Sequence, residues 1–143
     1  MRKMRRWAYT AVLLLVGMSA SLALSPEKLY LLHCMGCHGP KGEGIPVRVP
    51  TLRGFVGYFV HIPEGRAFLI QVPGAANSPL SDAELAEVTN WILRAFSSEQ
   101  LPKDFRPYSP EEVARLRRTP LLEVSPVREA ILRKLRDMGI IKP

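Results

Sequence analysis

The chain has 143 residues, with 20 Lys and Arg against 13 Asp and Glu and a net charge of +7. That length holds one ordinary domain, or a small domain with an extension, and excludes a barrel enzyme or a two-domain dinucleotide enzyme. Two cysteines exclude a multi-disulfide scaffold and a four-cysteine zinc site, and 47% hydrophobic with 23% charged residues is ordinary for a globular chain.

The first segment accounts for much of the charge. Arg2, Lys3, Arg5 and Arg6 stand without a nearby acid, ahead of an apolar run over residues 11–18 and the small-residue stretch Ser19-Ala20-Ser21-Leu22-Ala23. This layout predicts a secretory signal over 1–23, cut after Ala23, with Ser21 and Ala23 in the two small positions. Its apolar centre is shorter than the roughly 20 residues that span a bilayer. The alternative is an uncleaved anchor, with Trp7 and Tyr9 at the interface, and that is the one route to a membrane. Without the four cations the chain has 16 basic and 13 acidic residues. Residues 24–102 hold 6 and 7, and residues 103–143 hold 10 and 6, so the surplus sits at the C-terminal end and no basic stripe for nucleic acid remains. Export implies an oxidising compartment, the periplasm.

Ser25-Pro26-Glu27 predicts a helix start, with Leu29, Leu32 and His33 on one face and Tyr30 nearby, running into Cys34. Six glycines and three prolines between Gly36 and Gly57 forbid long regular structure. Pro63-Glu64-Gly65 opens a short amphipathic piece over 66–71, expected to stop at Pro73-Gly74. Ser81-Asp82-Ala83-Glu84 is a capping box, and Leu85, Val88, Ile92 and Ala95/Phe96 behind it recur at helical spacing, predicting a helix over about 82–97. Past Pro102 and Pro107, Ser109-Pro110-Glu111-Glu112 is a second capping box, for a helix to about Arg118. Ser125-Pro126 opens a third helix with Val127, Ile131, Leu132, Leu135 and Met138, ended by Gly139. No alternating run demands a sheet.

Cys34-Met35-Gly36-Cys37-His38 carries the chemistry. Two thiols two residues apart reach both vinyl groups along one haem edge, and the adjacent imidazole meets the iron, so C-x-x-C-H is the signal for covalent haem c. C-x-x-C also serves as a redox dithiol or half a zinc site. Export, the lack of further cysteines and the lack of a βαβ pattern favour haem.

With that motif the chain resembles the class I c-type cytochromes over about residues 26–97. The likeness rests on a short helix into Cys34-Met35-Gly36-Cys37-His38-Gly39, the loop Lys41-Gly42-Glu43-Gly44, the segment Pro50-Thr51-Leu52-Arg53-Gly54, and a helix introduced by Leu80-Ser81-Asp82 with Trp91 inside it. The resemblance implies a small all-α haem domain, here 24–98, holding one haem c, with Cys34 and Cys37 as thioether residues and His38 as the proximal iron ligand. It also implies that the first helix crosses the 82–97 helix, with Tyr30 and Trp91 or Phe96 in contact.

One family feature is missing. The family places a distal methionine in a Met-Pro step before the last helix, and here that step is Val72-Pro73. The later Met138 is expected in the core of the last helix, and Met35 lies within the attachment motif itself. His61 is the remaining candidate for the distal position, against an open or water-bound face, while His33 reads as a surface or propionate-side residue. Loss of methionine implies a lower potential or an iron open to small ligands.

Residues 99–143 exceed a minimal member of this family and read as a basic helical extension, packed back through Leu116, Leu121, Leu122, Ile131 and Leu135. Arg115, Arg117, Arg118, Arg128, Arg133, Lys134 and Arg136 form a potential docking face for an acidic partner. The function expected is electron carriage to or from a redox protein such as a periplasmic dehydrogenase or terminal oxidase. No catalytic constellation is present in the sequence. The alternatives are a haem-based ligand-binding or sensor module with an open distal iron and, further off, a peroxidase-like haem with His61 as distal base.

Overall fold

The computed structural model describes residues 23–142. The predicted export signal, but for Ala23, lies outside the described residues, among which no helix is long and apolar enough to cross a membrane. Among the described residues the structure is helical, with no β-strand beyond an isolated Ile45–Val49 bridge, as the all-α reading expects.

Helix α1, Pro26–His33, starts where Ser25 Oγ accepts the Lys28 N–H at 3.4 Å and Pro26 takes the first helical turn. It buries Leu29 and Tyr30, whereas Leu32 is 65% exposed. The inward face is therefore narrower than the spacing of Leu29, Leu32 and His33 implied. At Cys34 the chain turns into the single-turn α2, Met35–His38.

Helix α5, Asp82–Ser97, has the complete capping box: Ser81 Oγ accepts the Glu84 N–H, and the Glu84 carboxylate accepts the Ser81 N–H at 2.8 Å. It buries Leu85, Val88 and Leu93, with Ala95 facing outward. Helix α1 crosses it through Tyr30, whose ring lies 5.4 Å from Trp91 and 5.1 Å from Phe96, the contacts expected from the sequence. Gly42, at φ 72°, ties the following loop to the same place, since a Cβ there would meet the Phe96 ring at 2.9 Å. These packings fix Cys34, Cys37 and His38 relative to α5.

A 3₁₀ helix, Val56–His61, leads into α3, Pro63–Gln71. The two pack so closely that a Cβ on Gly65 would collide with the Phe59 carbonyl. Helix α3 stops at Gln71, ahead of Pro73-Gly74 as expected, and a separate short helix follows. Val72 (φ −57°, ψ 137°) is a one-residue extended break, and Pro73 opens the short α4, Pro73–Ala76, because proline suits a first helical position.

Helix α6, Pro110–Leu116, lies against α5, and α7, Val124–Asp137, lies against α3 and the 3₁₀ helix. The second capping box is half formed: Ser109 Oγ accepts the Glu112 N–H at 3.2 Å, but the Glu112 carboxylate turns to Arg66. Helix α7 begins a residue earlier than Ser125-Pro126 implied. The C-terminal residues enter both cores: Tyr108 and Val113 join Leu29, Tyr30, Leu85 and Val88, while Ile131, Leu132 and Leu135 join Phe59, Ile62 and Phe68. Leu116 and Leu121 pack as expected, but Leu122 is 96% exposed and Met138 is 54% exposed. Neither is a core residue: Leu122 falls in the irregular link before α7, and Met138 lies just past the last turn of α7.

Candidate functional site

A largely apolar cavity of about 320 Å³ lies between α1, α5 and the 3₁₀–α3–α4 segment. Cys34, Cys37 and His38 line it together, so the three motif residues share one space. The two thiols are free. Pro50, Thr51 and Leu52 line it too, which places the proline-led segment beside the motif. Phe59, Phe68, Leu80, Leu85, Val88 and Leu93 supply much of the apolar wall.

Burial, and the Cys37 thiol beside it, push the Cys34 thiol up from its ordinary value, so it stays protonated at neutral pH. Burial pushes His38 down, favouring the neutral imidazole that a metal requires. The Pro50 carbonyl opposes that shift, yet it falls short of a hydrogen bond, and His38 Nδ1 is buried without a partner. Among the described residues one other buried side-chain polar atom is left in that state, Ser78 Oγ, and Ser78 lines the same cavity.

Val72 is in the lining, with Gly74, Ala75 and Ser78 after it. His61 is not. Its Nε2 lies 2.8 Å from the Gln100 carbonyl oxygen, so the two helical turns at 56–61 and 98–100 are joined through it. His33 lines the cavity from an exposed position. Met138 is not in the lining.

Three residues had no local signal. Val124 and Arg128 of α7 reach the cavity, which therefore includes part of the C-terminal segment. Arg66 forks onto Glu112 at 2.6 and 2.7 Å, donates to the Arg106 and Pro107 carbonyls, and lies 4.0 Å over the Tyr108 ring.

Arg117 departs from the docking face expected of it. Its guanidinium donates to the carbonyls of Ala76, Ser78 and Leu80 and to Asp82 Oδ1, at 2.8–3.1 Å, and its side chain is 17% exposed. It pins the stretch that follows Val72. Arg128 is turned toward the cavity and pairs with Glu129 at 3.5 Å, and Lys134 pairs with Glu64 at 2.6 Å. Of the seven cations, Arg115, Arg118, Arg133 and Arg136 remain exposed among the described residues with no acidic partner within salt-bridge reach.

The residues present suit a haem. An imidazole with an orphaned nitrogen and two free thiols open onto an apolar space, and an arginine stands in its lining as a cation for a carboxylate.

No family model matches the chain. It is 34% identical over 125 residues to a cytochrome c-552 of Thermus thermophilus, covering 75% of this chain and 83% of that protein. A second cytochrome c-552 from Thermus thermophilus is 33% identical over 108 residues, covering 63% of this chain and 82% of the relative. With helices in family order around a C-x-x-C-H cavity and relatives at this level over most of their length, the chain belongs to the class I c-type cytochromes.

Proposed function

We propose that the protein is a periplasmic monohaem cytochrome that carries electrons between redox proteins. The observation that carries this is the convergence of Cys34, Cys37 and His38 on one apolar cavity. Haem bound there supplies a ferric/ferrous couple that needs no acid–base machinery. Cys34 and Cys37 would hold the haem through thioether links to its two vinyl groups. His38, partly buried and held toward its neutral form by that burial, would serve as the protein's ligand to the haem iron. Among the described residues Val72 lines the cavity with no lone pair to offer, and His61 lies outside the lining, engaged with the Gln100 carbonyl, so neither would ligate the iron.

Residues 1–23 direct export and are removed after Ala23. Residues 24–98 carry the haem, and 99–143 brace it, with Tyr108, Val113 and Arg117 supporting the haem domain. Arg115, Arg118, Arg133 and Arg136 offer a positive face to an acidic redox partner, such as a dehydrogenase or terminal oxidase.

A redox titration tests the axial assignment. Axial ligands move haem potentials over about 0.8 V, and a His/Met pair lies toward the high end. The wild type is expected below a Val72→Met variant by on the order of 0.1 V. A thioether-to-iron absorption band and a high potential in the wild type would defeat the reading.

A further inference from the structure

We propose that Ser78 is the hydrogen-bonding residue of a small-ligand subsite at the distal side of the haem cavity, one that takes a neutral diatomic molecule. The inference rests on the haem reading above and deepens it. A buried hydroxyl left unpaired costs about as much as a lost hydrogen bond, so such an atom calls for an explanation. Ser78 Oγ is one of two such side-chain atoms among the described residues, and the other, Nδ1, belongs to His38, which lines the same cavity.

The rest of Ser78 is satisfied. Its N–H donates to the Ala75 carbonyl at 3.1 Å, and its own carbonyl accepts from Arg117 Nη2 at 2.8 Å. The backbone is held at both ends, and only the hydroxyl is uncommitted. Its neighbours decide what it can meet. Val72, Gly74 and Ala75 line the cavity from the same stretch, and none carries a side-chain lone pair for iron. The step where the family places its methionine therefore leaves the iron without a thioether, and the same stretch brings in one fixed hydroxyl. Apolar neighbours such as Phe68, Leu69 and Leu80 favour an uncharged occupant over an anion. A diatomic held at the iron through one atom presents the other to the hydroxyl, which donates to it.

The experiment uses the holoprotein with covalent haem, first verified by intact mass, and carbon monoxide as the probe. The ferrous wild type binds carbon monoxide. Ser78→Ala shifts the C–O stretch to higher frequency, because loss of the donor restores bond order, and raises the dissociation rate by up to about ten-fold. Ser78→Thr, which keeps the hydroxyl, stays near the wild type, and Val72→Met abolishes binding. A haem-loaded wild type that takes up no carbon monoxide overturns the subsite and leaves the haem reading standing. Unchanged stretch and dissociation rate in Ser78→Ala overturn the role of Ser78, as does a variant that alters only the pH dependence of the potential, the mark of a hydroxyl bonded to a haem carboxylate. A chain that carries no haem fails at the earlier reading and takes the subsite with it.

Discussion

Arg117→Ala removes a side chain that a count of surface charges treats as dispensable. In the structure it is the shared donor for three backbone carbonyls, Ala76, Ser78 and Leu80, and for Asp82 Oδ1. A surface arginine is worth about 0–1 kcal/mol. Three carbonyls losing a charged donor cost more, about 1–3 kcal/mol each where water cannot reach them. With the side chain 17% exposed, water replaces part of what is lost, and a net destabilisation of about 3 kcal/mol follows. At this chain length that lowers Tm by roughly 10 °C. Arg117→Lys keeps the charge but loses the fork, and is expected to recover less than half of the difference. Urea and thermal unfolding of the holoprotein, followed by circular dichroism, make the comparison. A change under about 0.5 kcal/mol in Arg117→Ala would return the residue to the ordinary surface class and refute its anchoring role.

The Arg66 fork holds the Glu112 carboxyl below its ordinary value of 4.5. A depressed carboxylate contributes stability that is present above that value and is lost as pH falls through the folded one. Glu112→Gln is therefore expected to cost about 1–2 kcal/mol at pH 7 and to flatten the decline in stability below about pH 4.5, both read from urea melts across pH; an unchanged acid limb would count against the fork. Val47 sits at φ 66° on the tip of the Ile45–Val49 turn, fully exposed, where a β-branched residue is strained by about 1–2 kcal/mol. Val47→Asn is expected to raise stability by about 0.5–1 kcal/mol, and a loss of stability would show that the valine is held there by something other than the turn.

The parts of this fold written in short-range chemistry were legible. Ser25-Pro26 and Ser81 through Glu84 mark helix starts because a hydroxyl within three residues of free N–H groups is a local solution. Cys34, Cys37 and His38 share a cavity because their spacing is local too. What stayed hidden depends on partners far along the chain. Glu112 looked like half of a capping box, yet an arginine 46 residues away takes its carboxylate. Arg117 and His61 meet acceptors 35 to 41 and 39 residues distant, and no period in the sequence announces such meetings. Pro73 marked the end of α3 correctly, but the short helix it opens after one extended residue was not foreseen. Leu122 read as core from its apolar character and Met138 from its place on the apolar face of the last helix, and each lies just outside the helix that would have buried it.

The most direct measurement is the intact mass of the exported protein after denaturation. The account predicts a chain beginning at Leu24 that carries the added mass of one haem, retained in denaturant, with Cys34 and Cys37 both unreactive toward thiol reagents. A chain of bare polypeptide mass with two titratable thiols would contradict it, and with it the assignment of the cavity to a covalent haem.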